Sequence, residues 1–451
     1  MKVFQPQPRR TFCIFVVGMM LAVNAWSQSS LESDFQSWAR DAAAPIESLD
    51  LAAPSEDLAW LRDTIDDARI VALAEFLHGA AEPLLLRNRV FRYLVEEEGF
   101  SAIAIESGTV ESEILYDYVL GSEENLDRVL AEGFSWQFET LPQNAELLRW
   151  MRTYNLQRPE TQRIRIYGFD VPGSPGNVGA SRGPQVALEG VLDYLAVVDP
   201  DSASDLEDRV RGYLPRLQTD YAQLPQSDRD SLTVAEADAV AFLEANQVEY
   251  VRRSSDKAYW WAHRAAIGAR QVDAWLRRIP VGWTEGDGFK PFEEANNIRD
   301  RAMADHVSWI LDDLGNDARL FVFASFAHIT RVSLTDAGPS VARVPFGAHM
   351  DQRYGDHYRT FGTSMGGGAI GNCIGNREIG LTDASPTSIN GLMSPLGVPL
   401  FMLDLRSSPG AVNEWLRENL EVWNGFRATR FRIADAVDAV IFAETFSPAC
   451  E

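Results

Sequence analysis

Cysteine is scarce in this chain, with three residues among 451. Cys13, Cys373 and Cys450 stand far apart, with no CxxC and no tight Cys/His spacing, which argues against a structural zinc module. Positive charge is short as well: 41 Lys and Arg face 65 Asp and Glu, for a formal charge of −24. Such acidity disfavours nucleic acid and anionic membrane surfaces as partners, and suits a neutral or cationic substrate. The N-terminal apolar stretch Phe12–Val23 is too short for a membrane span, and no internal repeat organises the chain.

Met1–Ser27 reads as an export leader. Lys2, Arg9 and Arg10 form a positive start, the apolar stretch follows, and Ala25-Trp26-Ser27 is a small-x-small cleavage site. Removing the leader takes away three cations, brings the charge to −27 and leaves roughly 424 residues, enough for a large domain with an elaboration. The expected location is the periplasm or the outside, with no stable membrane insertion once the leader is gone. Cys13 departs with it, and in an oxidising compartment Cys373 and Cys450 are candidates for one disulfide pinning the C-terminus.

The stretch 69–106 organises the remainder. Arg69–Ala74 is a short apolar, partly β-branched run, as a buried strand requires, and it ends in the polar loop Glu75-Phe-Leu-His78-Gly79. Pro83 sits where a first helical turn tolerates it, a helix continues to Glu98, and Gly99 stops it. Ser101–Ile105 is a second buried strand, again followed by an acid, Glu106. The spacing predicts a βαβ unit with parallel neighbouring strands, so both carboxyl ends open on one sheet edge, where open α/β sheets bind ligands. Glu75, His78 and Glu106 are therefore expected in one pocket. Arg87 joins them: with Leu84, Val90, Phe91 and Leu94 at −3, +3, +4 and +7 it lies on the apolar stripe, and a buried guanidinium needs an acid, Glu75 or Glu106, or a bound anion. Arg89 and Arg92 fall on the other face, where Arg92 and Glu96 are spaced as an i,i+4 pair.

Two further strands repeat the pattern. Arg163–Gly168 leads to Asp170, and Arg319–Ala324 leads to Ser325 and His328. Four strands thus each deliver a polar group at their carboxyl ends. Leu400–Leu405 and Ala436–Phe442 read as additional strands, and 342–370 is glycine-rich, with His349 and His357 read as loop residues. Residues 28–67 read as mostly helical cover for the sheet. Gly173–Gly183 is a Gly/Ser/Pro boundary loop, and Gln185–Arg278 shows amphipathic helices and almost no strand signal. The fold class is α/β: a central, mostly parallel sheet flanked by helices, built from 28–184 and 280–451, with an inserted helical subdomain at 185–279 able to lie over the pocket. Trp260, Trp261 and His263 on its last helix fit packing better than substrate contact.

Of six histidines, His78 is the best general base, since its ordinary pKa lies near neutrality and a neighbouring carboxylate can orient it. His328 is the second choice, and His306 reads as a structural helix residue. Gly362-Thr-Ser364-Met-Gly366 matches GxSxG, but no histidine follows Ser364, whereas the hydrolase order needs one. A serine nucleophile is rejected, which leaves activated water. Glu75, His78, Glu82 and Glu106 stay open as an alternative divalent-metal set, with His78 and Glu82 at i,i+4 spacing, and a catalytically degenerate envelope binding protein is the other alternative.

Ala74–Gly79 (AEFLHG), Arg87, Gly99-Phe100 and Glu106 resemble the erythromycin esterase family and its succinoglycan-biosynthesis-like relatives. The resemblance continues through Trp136, Trp150–Asn155 (WMRTYN), Tyr167–Asp170 (YGFD), Arg299–Ala304 (RDRAMA) and Phe323–Val332 (FASFAHITRV). It implies hydrolysis of a small-molecule carboxylic ester, macrolactones among the candidates, with no cofactor and no required metal. His78 would be the base, oriented by Glu75 or Glu106; Arg87 would balance the acids or stabilise the oxyanion, and His328 would be a second acid/base or substrate contact. Asp170, Trp136 and Ser325 are expected along the substrate. Ala74 and Leu77 stand where the family usually has Gly and Thr, and Ser325 stands where it commonly has a first histidine, departures that imply a changed substrate or a slower enzyme.

Overall fold

The computed structural model describes residues 30–136, 138–173, 183–214, 221, 224–278, 290–333, 343–372 and 377–450. The leader, Cys373 and residues 174–182 of the proposed boundary loop lie outside them. Eleven strands are described: β1 (Ala44–Pro45), β2 (Ile70–Glu75), β3 (Ala102–Gly108), β4 (Arg165–Asp170), β5 (Leu320–Ser325), β6 (Tyr358–Asn372), β7 (Arg377–Leu381), β8 (Leu400–Asp404), β9 (Leu420–Trp423), β10 (Ala428–Phe431) and β11 (Ala439–Phe446). Nine form one sheet in the order β1-β8-β11-β6-β2-β5-β3-β4, with β7 folded back on β6; β9 and β10 make a separate hairpin.

From β11 to β4 all six strands run parallel. Their carboxyl ends therefore share one edge. Every residue of β2 is buried, as a central parallel strand covered on both faces must be. Successive β2 side chains alternate between two cores. Ile70, Ala72 and Ala74 pack with Met303, Val307 and Ile310 of the Lys290–Leu314 helix. Val71 and Leu73 pack with Val90, Phe91 and Leu94 of the Ala81–Glu97 helix and with Leu147, Leu148 and Met151 of the Pro142–Leu156 helix. Each such fully buried Leu, Val or Phe contributes about 1.5–3 kcal/mol, so the framework beneath the strand ends is rigid.

Two expectations are corrected. β2 and β3 are parallel but not neighbours: β5 lies between them, pairing Ile70 with Leu320 on one side and Ala102 with Leu320 on the other. The long crossover back to β5 thus sets Ser325 and His328 between the two acid-bearing strand ends. His349 is also no loop residue, since it lies on the helix Phe346–Tyr354, and Tyr358–Asn372 of the same glycine-rich stretch forms the fifteen-residue β6 in the sheet centre. Its Gly362 faces the Phe326 ring, which an added Cβ would approach to 2.5 Å.

No strand interrupts the described residues between 183 and 278. Helices Gly183–Val198, Pro200–Val210, Gln226–Ala245, Gln247–Arg253 and Asp256–Leu276 enclose an apolar cluster that includes Leu188, Val191, Leu232, Leu243 and Ala266. Trp260 and Trp261 pack on Tyr167, as their helical spacing suggests. Among the described residues no helix is long and apolar enough to cross a membrane.

Candidate active site

The strand-end residues converge. Glu75 closes β2 and is 3% exposed, and its Oε1 lies 2.8 Å from Nδ1 of His78. That imidazole is 51% exposed, packs against Phe138 and has no second polar partner among the described residues, so Nε2 is left for water or substrate. Burial works against a charged imidazole here, but the carboxylates of Glu75 and, further off, Glu106 outweigh it and hold the pKa up at about 9.

Glu106 lies where β3 slips its register against β4 between Ile105 and Gly108, a bulge of the kind that re-aims a side chain near an active site. Its Oε2 accepts the Ser325 N–H at 2.7 Å, and its Oε1 accepts from Arg299 Nη2 at 3.0 Å and lies 3.3 Å from His328 Nε2. Burial would raise its pKa, yet His328, His78 and Arg299 together drive it well below the usual carboxylate range. Glu106 is therefore a fixed anion. Arg299, one turn into the packed part of its helix, also grips Asp170 through Nε (2.9 Å) and Nη2 (2.6 Å). The Trp136 indole N–H donates to Asp170 at 2.9 Å, and the Arg299 guanidinium sits 4.8 Å from the Trp136 ring centroid. Trp136 holds this position with a φ of 60°, a left-handed conformation that a bulky residue adopts only when its surroundings enforce it.

His328 sits deeper. Nδ1 lies 2.5 Å from Asp300 Oδ1 and Nε2 faces Glu106, so both ring nitrogens meet carboxylates and the side chain is 5% exposed. Burial lowers its basicity, but Asp300 and Glu106 more than restore it, leaving the pKa raised. Arg343 and the Phe346 N–H hold Asp300 in turn. Asp300, Arg299 and Arg343 join the cluster without being expected there from the sequence. A signal existed: Asp300 has Met303, Ala304 and Val307 at +3, +4 and +7, which places it on an apolar stripe just as Arg87 is placed.

Other site residues take different places than the sequence suggests. Arg87 makes no ion pair with Glu75 or Glu106; its nitrogens donate to Asn88 Oδ1 at 3.0 and 2.8 Å and to the Gln143 carbonyl at 3.4 Å. It is 2% exposed and lies 5.0 Å from the Phe323 ring centroid, too sealed to meet an oxyanion. Its charge still acts on Glu75 across a cavity of about 10 Å³ lined by both, while burial brings its own pKa down to about 10. Ser325 caps the Phe326–Ile329 helix by accepting the Ala327 N–H, so its hydroxyl is turned into the backbone. Asp170 is fully buried, and any substrate contact passes through Trp136 or Arg299. Arg89 lies under the 48–57 segment rather than on an open face, held by Asp57 and the Ser48 carbonyl. Glu82 accepts from the Ser447 backbone and hydroxyl, which removes it from the alternative metal set. Among the described residues no three His, Cys, Asp or Glu side chains converge as metal donors. Ser364 lies inside β6 and accepts from Asn390 at 2.7 Å, with no elbow turn around it.

A larger groove, of about 560 Å³ between the 30–42 helix and Pro409–Val412, is lined by Asp34 and Asp41 and by no basic side chain. Chemistry rather than volume locates the site.

Comparison with known proteins places the chain in a family and supports its fold. Residues 95–446 match the erythromycin esterase family model, a span that includes Glu106, Asp170, Arg299 and His328 and begins after His78. Erythromycin esterase type II of Escherichia coli is 25% identical over 344 residues, covering 74% of this chain and 78% of the relative. A Bacillus cereus protein of known crystal structure superposes with a TM-score of 0.77 at 22% identity, covering 92% of this chain and 98% of that one. A second solved structure, described as a succinoglycan biosynthesis protein, gives a TM-score of 0.75 at 18% identity, over 93% and 98% of the two chains. With most of its length matched, the chain belongs to the erythromycin esterase family of hydrolases.

Proposed function

We propose that the protein is an exported esterase that cleaves a carboxylic ester, with macrolactones among its candidate substrates, by water activated at His78. The observation that carries this reading is the Glu75–His78 pair: a buried carboxylate holds Nδ1 while the ring stands half open at the sheet edge. Neutral His78 takes a proton through Nε2 as the water oxygen bonds to the ester carbonyl carbon. The tetrahedral intermediate then expels the alcohol oxygen, which recovers that proton, and the products are a carboxylic acid and an alcohol. Glu75 fixes the tautomer and stabilises the imidazolium. Arg87, across the small cavity, balances the Glu75 charge. Trp136, braced by Asp170 and Arg299, supplies a flat wall beside the scissile bond. The Escherichia coli relative, an erythromycin esterase, supports a macrolide lactone as the first substrate to try. Export is supported by the leader-like N-terminus and by the disulfide at Cys450, which suits an oxidising compartment.

The test compares wild type with His78→Ala on a 14-membered macrolide and on a simple aryl ester. Wild type opens the ring or releases the phenol, and the variant loses about 10²–10⁴-fold in kcat, the contribution of a positioned base. Equal turnover by a folded His78→Ala protein removes the mechanism.

A further inference from the structure

Beyond the proposed chemistry, and resting on His78 as its base, we infer that the C-terminal segment Ser447–Cys450 is a positioning element for His78, held in place by the Cys450 disulfide. The residue after His78 is the anchor. The Gly79 carbonyl accepts two backbone N–H groups, from Gly371 at the far end of β6 and from Ala449, both at 2.9 Å. The Ala81 N–H donates to the Ser447 carbonyl at 2.8 Å, and Ala80 bridges Pro448 in antiparallel fashion. The last residues thus extend the sheet beyond β11 and trap the His78 loop between themselves and β6.

The junction is tight. Gly79 has a φ of +90° and an added Cβ would meet the Gly371 carbonyl oxygen at 2.4 Å; one on Gly371 would meet the Pro448 Cβ at 3.0 Å and the Cys450 carbonyl oxygen at 3.2 Å. The same strap reaches the other side of the site. The Ala449 carbonyl accepts from Gln143 Nε2 at 3.0 Å, and the Gln143 carbonyl accepts from Arg87 and Asn88. Glu82 ties down the strap's first residue by accepting the Ser447 N–H at 2.8 Å and its hydroxyl at 2.6 Å. Cys450, one residue past Ala449, is disulfide-bonded and anchors the other end. Release of this strap would remove one of the two donors on Gly79.

Reduction by a dithiol breaks the S–S bond: the dithiol gives up two electrons and two protons, two protein thiols form, and the dithiol closes into its own disulfide. The strap then has only Glu82 and its backbone bonds to hold it, and the Glu75–His78 contact loosens.

The experiment titrates the His78 imidazole by NMR, with its signal assigned by loss in His78→Ala, alongside ester turnover. The expected result in oxidised wild type is a pKa of about 9. In Cys450→Ser, and in wild type treated with a dithiol, it moves down toward the ordinary value near 6.5, and kcat, compared on the plateau above about pH 9 where the ring is largely neutral in every form, falls by about tenfold to a hundredfold with KM little changed. Glu82→Ala, loosening the strap at its other end, shifts both in the same direction by less and serves if Cys450→Ser does not fold. An unchanged His78 pKa and kcat in folded Cys450→Ser or Glu82→Ala overturns the positioning role. The NMR titration needs no turnover, so an absence of esterase activity would count against the proposed function while leaving this inference to stand or fall on the pKa shift.

Discussion

Two histidines at neighbouring strand ends meet opposite fates. His78, past β2, has one carboxylate partner and half its ring in solvent; His328, past β5, lies between Asp300 and Glu106 with 5% of its side chain exposed. Both gain basicity from carboxylates, yet only one has a nitrogen free to act. His328 already has both nitrogens committed, and Asp300 is braced by Arg343 while Glu106 is braced by Arg299. That half of the site is a closed network of charges in low dielectric, where each member is costly to remove. The other half is open and under-partnered. Under the proposed function, the closed half of this cluster serves as scaffold and the open half as working face, with His328 holding Glu106 in place.

Mutations sharpen the contrast. The largest loss of activity without loss of fold falls on His78, as set out above. Arg299→Met should break the scaffold instead: stripping buried Asp170 of its ion pair and leaving Glu106 to His328 and His78 costs about 3–5 kcal/mol in denaturant melts. Full stability in that variant would show that the network is not what holds the strand ends. Asp300→Asn keeps the shape but takes one carboxylate from His328 and Arg343, with an expected loss of about 1.5–3 kcal/mol, read by the same melts, and a smaller fall in kcat than His78→Ala gives. A larger kinetic effect there than at His78 would reverse the assignment of the two halves. Ser364→Ala is the smallest change: it removes one hydrogen bond from Asn390, costs about 1 kcal/mol and leaves turnover within about twofold. Abolished turnover would revive the serine nucleophile that the GxSxG match suggests.

The working face was more legible in the sequence than the scaffold. Glu75, His78 and Glu106 stand next to short apolar runs whose ends are marked by charge and glycine, so their shared edge follows from parallel strand direction alone. The order of strands does not follow from such runs. Nothing in Leu320–Ser325 says that it inserts between β2 and β3, and consecutive strands usually neighbour each other. β6 was hidden because its glycines, chosen to let Phe326 and the C-terminal segment approach closely, look like loop signals. Arg87 was correctly read as buried, but its hydrogen-bond partners, Asn88 and the Gln143 carbonyl, are neutral, a solution that charge counting overlooks. Ser325 shows the same gap at smaller scale, since a hydroxyl at a strand end is as ready to cap a helix as to meet a ligand.

The sign of the His78 shift makes the central claim measurable. A pKa raised to about 9 means that below that pH the ring is a cation and only a minority is the free base, about one molecule in a hundred at pH 7. The direct test is log kcat/KM for an aryl ester against pH, from 6 to 10, in wild type. The expected profile rises with unit slope and levels off near pH 9; a profile flat across this range, or one falling as pH rises, would contradict water activation by His78.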